Sequence, residues 1–306
     1  MKSNISENKS TILNTTEIIS VEYPHINNNM LLLFCGYVFI WYLQIGYRIQ
    51  ALGAIRFELI YAVVLAMLAI FFTPKFNRVI PLSSCLILYI IVLIIQIPFS
   101  YDFNTSLDIF VNRIIKFAFM SFFIIAFVRS PLHMKYFLAA FLLACLKMGQ
   151  EGLIGRISGG LIWENQGIMR LHGATPLYEH PNSFSGMALG TLPFVYFLWP
   201  LTNKYLKTVL VIIALLSLNI IIFTGSRTGY VGLLVFLLFV FITTKNKRKF
   251  LMSLAVVAII TIPIIPADYI ERFDSIITGK EKEGGSIEAR KEILKDAVQI
   301  FIDHPM

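Results

Sequence analysis

Acidic residues are scarce in this chain. Only 18 of its 306 residues are Asp or Glu, and charged residues of both signs make up 14%, against about 25% in soluble proteins. With 57% hydrophobic residues and a mean hydropathy of +0.74, the chain lacks the polar surface that a water-soluble fold of this length needs. The same figures exclude disorder and collagen-like repeats. Cysteine is nearly absent. Cys35, Cys85 and Cys145 lie inside apolar runs, without the spacing of metal ligands or of a disulfide scaffold, and read as small buried hydrophobes. Histidine is equally sparse. His172 and His180, with Glu179 beside them and no third ligand, make a poor zinc signal. No metal and no cofactor follows from the sequence.

What is present is long apolar chain. Nine runs have the length and character of membrane helices: about Met30–Tyr47, Ile55–Phe72, Ile80–Phe99, Ile109–Val128, Met134–Ile154, Ser183–Leu201, Lys207–Thr224, Gly229–Ile242 and Phe250–Pro266. The expected fold is therefore all-α, a polytopic transmembrane bundle. Residues 1–29 are polar and contain no apolar core of a signal peptide; they form an N-terminal segment. Residues 30–154 hold the first five spans. Residues 155–306 combine a polar loop (155–182), four spans within 183–266 and a polar tail (267–306).

The net charge of +8 orients this bundle. Lys75 and Arg78, Arg129 and Lys135, Lys204 and Lys207, and the cluster Lys245, Lys247, Arg248 and Lys249 occupy alternate loops. The positive-inside rule places those loops, and the N-terminus, in the cytoplasm. Nucleic-acid binding is not needed to explain the basic residues. The loop after the third span carries Asp102 and Asp108 without Lys or Arg, as an outside loop can. Arg48 and Arg56, after the first span, fit the rule less well. Loop 155–182 and the tail then face outward. Within the tail, Lys280–Gly285 is a charged turn. Ile287, Ile293, Leu294, Ala297, Val298 and Phe301 follow at helical spacing behind Ser286, a plausible N-cap. This helix either lies on the membrane surface or packs on the bundle. Its mixed-sign polar face favours packing.

Three places combine residues that can do chemistry. Arg170, His172, His180 and Asn182 lie just before a helix that starts at Pro181, and helix N-termini favour anions; an ordinary polar loop reads equally well. Thr224-Gly225-Ser226-Arg227 is a tight turn at the outer boundary, where Arg227 either snorkels to lipid headgroups or presents a fixed guanidinium to phosphate. Arg113 and Lys116 lie inside the fourth span, three residues apart on one face. They suit an ion pair, with Glu58 the nearest candidate in depth, or snorkelling, or the phosphate of a lipid.

Arg170, Gly173, Pro181 and Asn182 before a span, followed by Thr224–Arg227 ending another, resemble the O-antigen ligase-related family of bacterial membrane proteins. That family contains O-antigen ligases, O-antigen polymerases and protein O-oligosaccharyltransferases. The helix over Ile287–Met306, ending in His304-Pro305, is similar to an extracytoplasmic helix of the family. The resemblance covers about Gly155 to Met306. It implies a metal-independent glycosyltransferase of polysaccharide or lipopolysaccharide biosynthesis, in the bacterial inner membrane. The donor would be a glycan on undecaprenyl pyrophosphate, and the acceptor lipid A–core, another lipid-linked glycan or a protein. Arg170 and Arg227 would carry the catalytic charge. His172, His180, Asn182, Ser226, Arg113 and Lys116 would contribute to substrate binding. Membrane lipids are the other expected partners. The family's loop histidine lies beyond the His-Pro pair, and the chain stops there, so a truncated or inactive form is also expected. A transporter or flippase, or a structural membrane subunit, is the competing class; no internal repeat supports a transporter.

Overall fold

The structure is a computed structural model that describes residues 26–74, 83–165, 167–261, 263, 265–270 and 286–303. Its helices are α1 (Asn28–Leu43), α2 (Phe57–Phe72), α3 (Ser83–Gln96), α4 (Phe103–Phe127) and α5 (Pro131–Ser158). After α5 come strands β1 (Ile162–Asn165) and β2 (Ile168–Leu171). Helices α6 (Pro181–Leu198), α7 (Lys204–Phe223), α8 (Arg227–Thr243), α9 (Lys247–Thr261) and α10 (Ser286–Asp303) complete the chain. Among the described residues, four helical stretches, Phe103–Phe127, Pro131–Ser158, Pro181–Leu201 and Lys204–Phe223, are long and apolar enough to cross a membrane. Four shorter apolar helices accompany them: Asn28–Leu43, Phe57–Phe72, Ser84–Phe99 and Arg227–Thr243. The all-α membrane architecture follows from the apolar runs. In lipid, only a helix or a closed barrel satisfies every backbone N–H and C=O.

The chain divides into two compact units. One comprises residues 1–35 and 59–137, the other 36–58 and 138–306. In the first, Phe34 is fully buried. Its ring stacks on Phe127 at 5.4 Å and on Phe137 at 5.8 Å, and Tyr61 donates its hydroxyl hydrogen to the Leu33 carbonyl at 2.9 Å. Much of the rest of α2 and α3 is uncovered; Phe71 and Leu88 are exposed, as lipid-facing side chains are.

In the second unit, small residues let helices approach, the usual device where lipid tails remove any hydrophobic drive between helices. A Cβ at Gly152 of α5 would come within 3.1 Å of Phe184 on α6 and 3.3 Å of Ile220 on α7. A Cβ at Gly149 would meet Leu216. The segment after α1 is pinned to the same unit. Gln44 takes a left-handed conformation (φ 48°), and its side-chain oxygen accepts from the Leu177 N–H at 3.1 Å. Arg48 grips Glu151 of α5 with two bonds of 2.8 and 2.7 Å, and Lys147 adds a third cationic contact at 3.4 Å. Arg48, an awkward charge for the positive-inside rule, is therefore half of an ion pair. Arg48→Ala is expected to lower stability by about 1.5–3 kcal/mol, measured as thermal unfolding in detergent. Glu151→Gln should reproduce most of that loss, and no shift in either variant would contradict the clamp.

Several sequence expectations need correction. The fifth helix runs on to Ser158 rather than ending near Ile154, because nothing in Gly155–Ser158 terminates it. The loop that follows contains an antiparallel hairpin, with Trp163 opposite Arg170. Of the cysteines, Cys145 is buried, Cys35 is half-buried and Cys85 is exposed, so only one is a core residue. Helix α10 spans Ser286–Asp303, so Ser286, expected as its N-cap, is its first residue. Among the described residues its apolar face is uncovered: Ile293, Leu294, Val298 and Phe301 are all exposed. Residues 1–25, Lys75, Arg78, the Lys280–Gly285 turn and His304-Pro305 lie outside the described residues.

Candidate functional site

The site is assembled from the hairpin and the ends of three helices, all in the second unit. In β2, Ile168 and Arg170 turn inward and Met169 outward, as the two-residue period of a strand requires. Arg170 is 1% exposed, and a buried guanidinium must find acceptors. Its Nε donates to the Thr224 carbonyl at 2.7 Å, and one terminal nitrogen donates to Asn182 Oδ1 at 2.9 Å. One side chain thus ties the hairpin to the end of α7 and to the first turn of α6.

Both helices that open here are capped by their own loops. His180 is the N-cap of α6, with Nδ1 accepting from the Asn182 N–H at 3.2 Å and Pro181 in the first helical position, where no N–H is required. Ser226 is the N-cap of α8, its Oγ accepting from the Gly229 N–H at 3.2 Å. Gly225 supplies the positive φ (56°) that turns the chain from α7 into α8. Arg227 is the first residue of α8 and half-buried. Tyr230, one turn on, donates to the Ile222 carbonyl at 2.7 Å and holds the turn closed.

Close packing sets the two helices side by side. A Cβ at Gly229 would stand 2.1 Å from Ser185 Oγ on α6. That hydroxyl is fully buried and has no hydrogen-bond partner among the described residues. Gly229→Ala should therefore push α6 and α8 apart, costing about 1–3 kcal/mol. Adding Ser185→Ala should return part of it, because the clashing oxygen is gone. A double-mutant cycle in thermal stability checks this; strict additivity of the two changes would show that they do not touch. Gly173 is also fixed by space: a Cβ there would lie 2.7 Å from the Tyr178 carbonyl oxygen, which accepts the Gly173 N–H at 2.8 Å.

Of the sequence-predicted residues, Arg170, Asn182 and the Thr224–Arg227 turn are brought together. Ser226 Oγ is spent on capping. His172 turns toward the Gly173 carbonyl, with Nδ1 at 3.0 Å, and toward the Trp163 ring at 5.2 Å between centroids. Arg113 and Lys116 are exposed and belong to the other unit. Glu58 is engaged by the Gly46 N–H at 3.0 Å. Two residues that sequence reasoning missed frame the hairpin. Tyr269 donates its hydroxyl hydrogen to the Met169 carbonyl and packs edge-on against Phe223 at 5.6 Å. The Arg156 guanidinium lies 3.8 Å from the centre of that Phe223 ring, a cation–π contact. Among the described residues no group of three or more His, Cys, Asp or Glu could hold a metal ion.

Electrostatically the site is cationic. Burial raises the Tyr269 phenol's pKa, with Arg156 and Arg170 pulling against that rise. Burial and then the nearby Arg170 charge hold His180 below the usual imidazole range, so the fold favours the neutral ring that caps α6. The unfolded ring takes up its proton first as pH falls. His180 thus contributes stability above about pH 6.5, lost progressively as pH falls through its lowered folded value. The thermal midpoint of the wild type should drop over that window, and His180→Asn, a cap that does not titrate, should flatten the drop.

Apolar helices long enough to cross a membrane, with a buried arginine tying the hairpin to the end of α7 and the first turn of α6, define a multi-pass membrane protein. Residues 186–306 match the O-antigen ligase family model. The match takes in the Thr224–Arg227 turn and α10 and begins one residue after Ser185, beyond the hairpin. No curated protein and no solved structure matches the chain.

Proposed function

We propose that the chain transfers a glycan from undecaprenyl pyrophosphate to a hydroxyl group on the outer side of the bacterial inner membrane. The acceptor is lipid A–core, a growing lipid-linked polysaccharide or a protein. In this reaction the acceptor oxygen bonds to the anomeric carbon and the carbon–oxygen bond to pyrophosphate breaks. The electron pair leaves with the pyrophosphate lipid, and the hydroxyl proton passes to a base or to water. The negative charge that grows on the leaving group is what the protein must stabilise. The observation that carries this reading is the convergence on Arg170, which draws the hairpin, the start of α6 and the Thr224–Arg227 turn into one cationic pole. Arg227 is the group assigned to the pyrophosphate: it heads α8, is half-buried and adds its fork to the positive end of the helix. Arg170 has two donors committed to protein acceptors and acts by positioning. His172, His180 and Asn182 line the approach.

Nine spans with a cytoplasmic N-terminus complete the proposal. In support, the Gln44–Leu177 bond and the Arg48–Glu151 pair link the segment after the first span to the fifth helix and the loop that follows it. A nine-span order puts both connections on the outer side. A reporter active only outside the cytoplasm, fused after Asp303, should give signal. The same reporter fused after Thr244 should be silent, and the reverse pattern would invert the topology.

A further inference from the structure

We infer that α4 carries a second anion site, one that holds the phosphate of an anionic membrane phospholipid between Arg113 and Lys116. This goes beyond the transfer reaction and does not depend on it. Helix α4 is a candidate span of 25 residues with only 17% of its apolar window buried within the protein. At 1.5 Å per residue, Arg113 lies about 15 Å from its Phe103 end and Lys116 about 17 Å from its Phe127 end. Both side chains are exposed, and among the described residues neither takes part in an ion pair. Ionisable groups inside a span are costly and mark ligand or ion sites by default.

Two further features set this pair apart from cations that merely bend back to the surface. Asn104, Asp108, Asn112 and Lys116 follow one another at four-residue steps, so a polar row runs from the start of the helix to the cations. All four are exposed, on a helix otherwise rich in exposed apolar side chains. Asn112 donates to Asp108 at 2.6 Å, so the row's carboxylate is engaged above the cations. The helix is also π-helical over Phe110–Ile115, a wider turn with i→i+5 bonds that often occurs at functional sites. Arg113 lies within that turn and Lys116 directly follows it. A phospholipid fits this arrangement where a free anion does not. Its phosphate meets Lys116 on the polar row and Arg113 beside that row, while its acyl chains lie against the exposed Phe, Ile and Val side chains of the same helix.

The test is native mass spectrometry of the full chain released from phosphatidylcholine nanodiscs containing a minor fraction of phosphatidylglycerol. Wild type should retain one phosphatidylglycerol more than the Arg113→Gln/Lys116→Gln variant, whose apparent affinity should fall about thirtyfold. The exchange variant Arg113→Lys/Lys116→Arg, which keeps both charges, should stay close to wild type. Should the double Gln variant misfold, Arg113→Gln and Lys116→Gln singly should each lose about fivefold. Equal retention by wild type and the neutral variants would overturn the site. So would equal retention of phosphatidylcholine, or displacement of the lipid by inorganic phosphate.

Discussion

Arg227→Ala should abolish surface-glycan display while leaving the protein inserted and folded. Ser226, not Arg227, caps α8, Gly225 supplies the positive φ of the turn and Tyr230 bonds to Ile222, and these groups remain when the guanidinium is removed. On the proposed mechanism, what is lost is the cation assigned to the leaving pyrophosphate. Removing one such preorganised group costs about 10²–10³ in rate, enough to make glycan transfer undetectable in cells. Arg227→Lys should recover little, since a point charge does not reproduce a bidentate fork on phosphate. Immunoblots of surface glycan, with membrane abundance of the variant as control, read this directly. Normal display by Arg227→Ala would remove Arg227 from the chemistry.

Arg170→Ala should also abolish transfer, by another route. It leaves the Thr224 carbonyl and Asn182 without a charged donor and opens a hole where a large side chain was fully enclosed. The expected loss of stability is about 3 kcal/mol or more. Limited proteolysis should then cut the 159–180 loop faster than in wild type. Asn182→Ala removes the Asn182 bond and leaves the Thr224 bond in place, and should fall between. The contrast is diagnostic: Arg227→Ala loses activity with a smaller fall in thermal midpoint than Arg170→Ala, which loses both. Were Arg170→Ala as stable as wild type, the positioning role would fail.

The helices were legible because each apolar run is long and a membrane leaves the backbone few alternatives. The position of Pro181 also announced the start of α6, whereas the start of α8 at Arg227 was expected two residues later, at Gly229. The hairpin was not legible. Ile162–Leu171 is short, and its register is fixed by Arg170 reaching Thr224 and by Tyr269 reaching Met169, contacts far apart in sequence. Arg48 looked like a misplaced topology charge because its partner, Glu151, stands 103 residues away. For α10 the spacing gave the amphipathic helix correctly, but periodicity says only that a face is apolar, not what covers it.

The central claim is that a glycan–pyrophosphate bond is broken with Arg227 on the leaving group. The most direct measurement is the release of undecaprenyl pyrophosphate in proteoliposomes holding the purified protein, a lipid-linked glycan donor and an acceptor. Wild type should release one pyrophosphate lipid for each glycan transferred, and Arg227→Ala should release none above background. Movement of the lipid-linked glycan across the bilayer with its pyrophosphate linkage intact would contradict the account and identify a transporter instead.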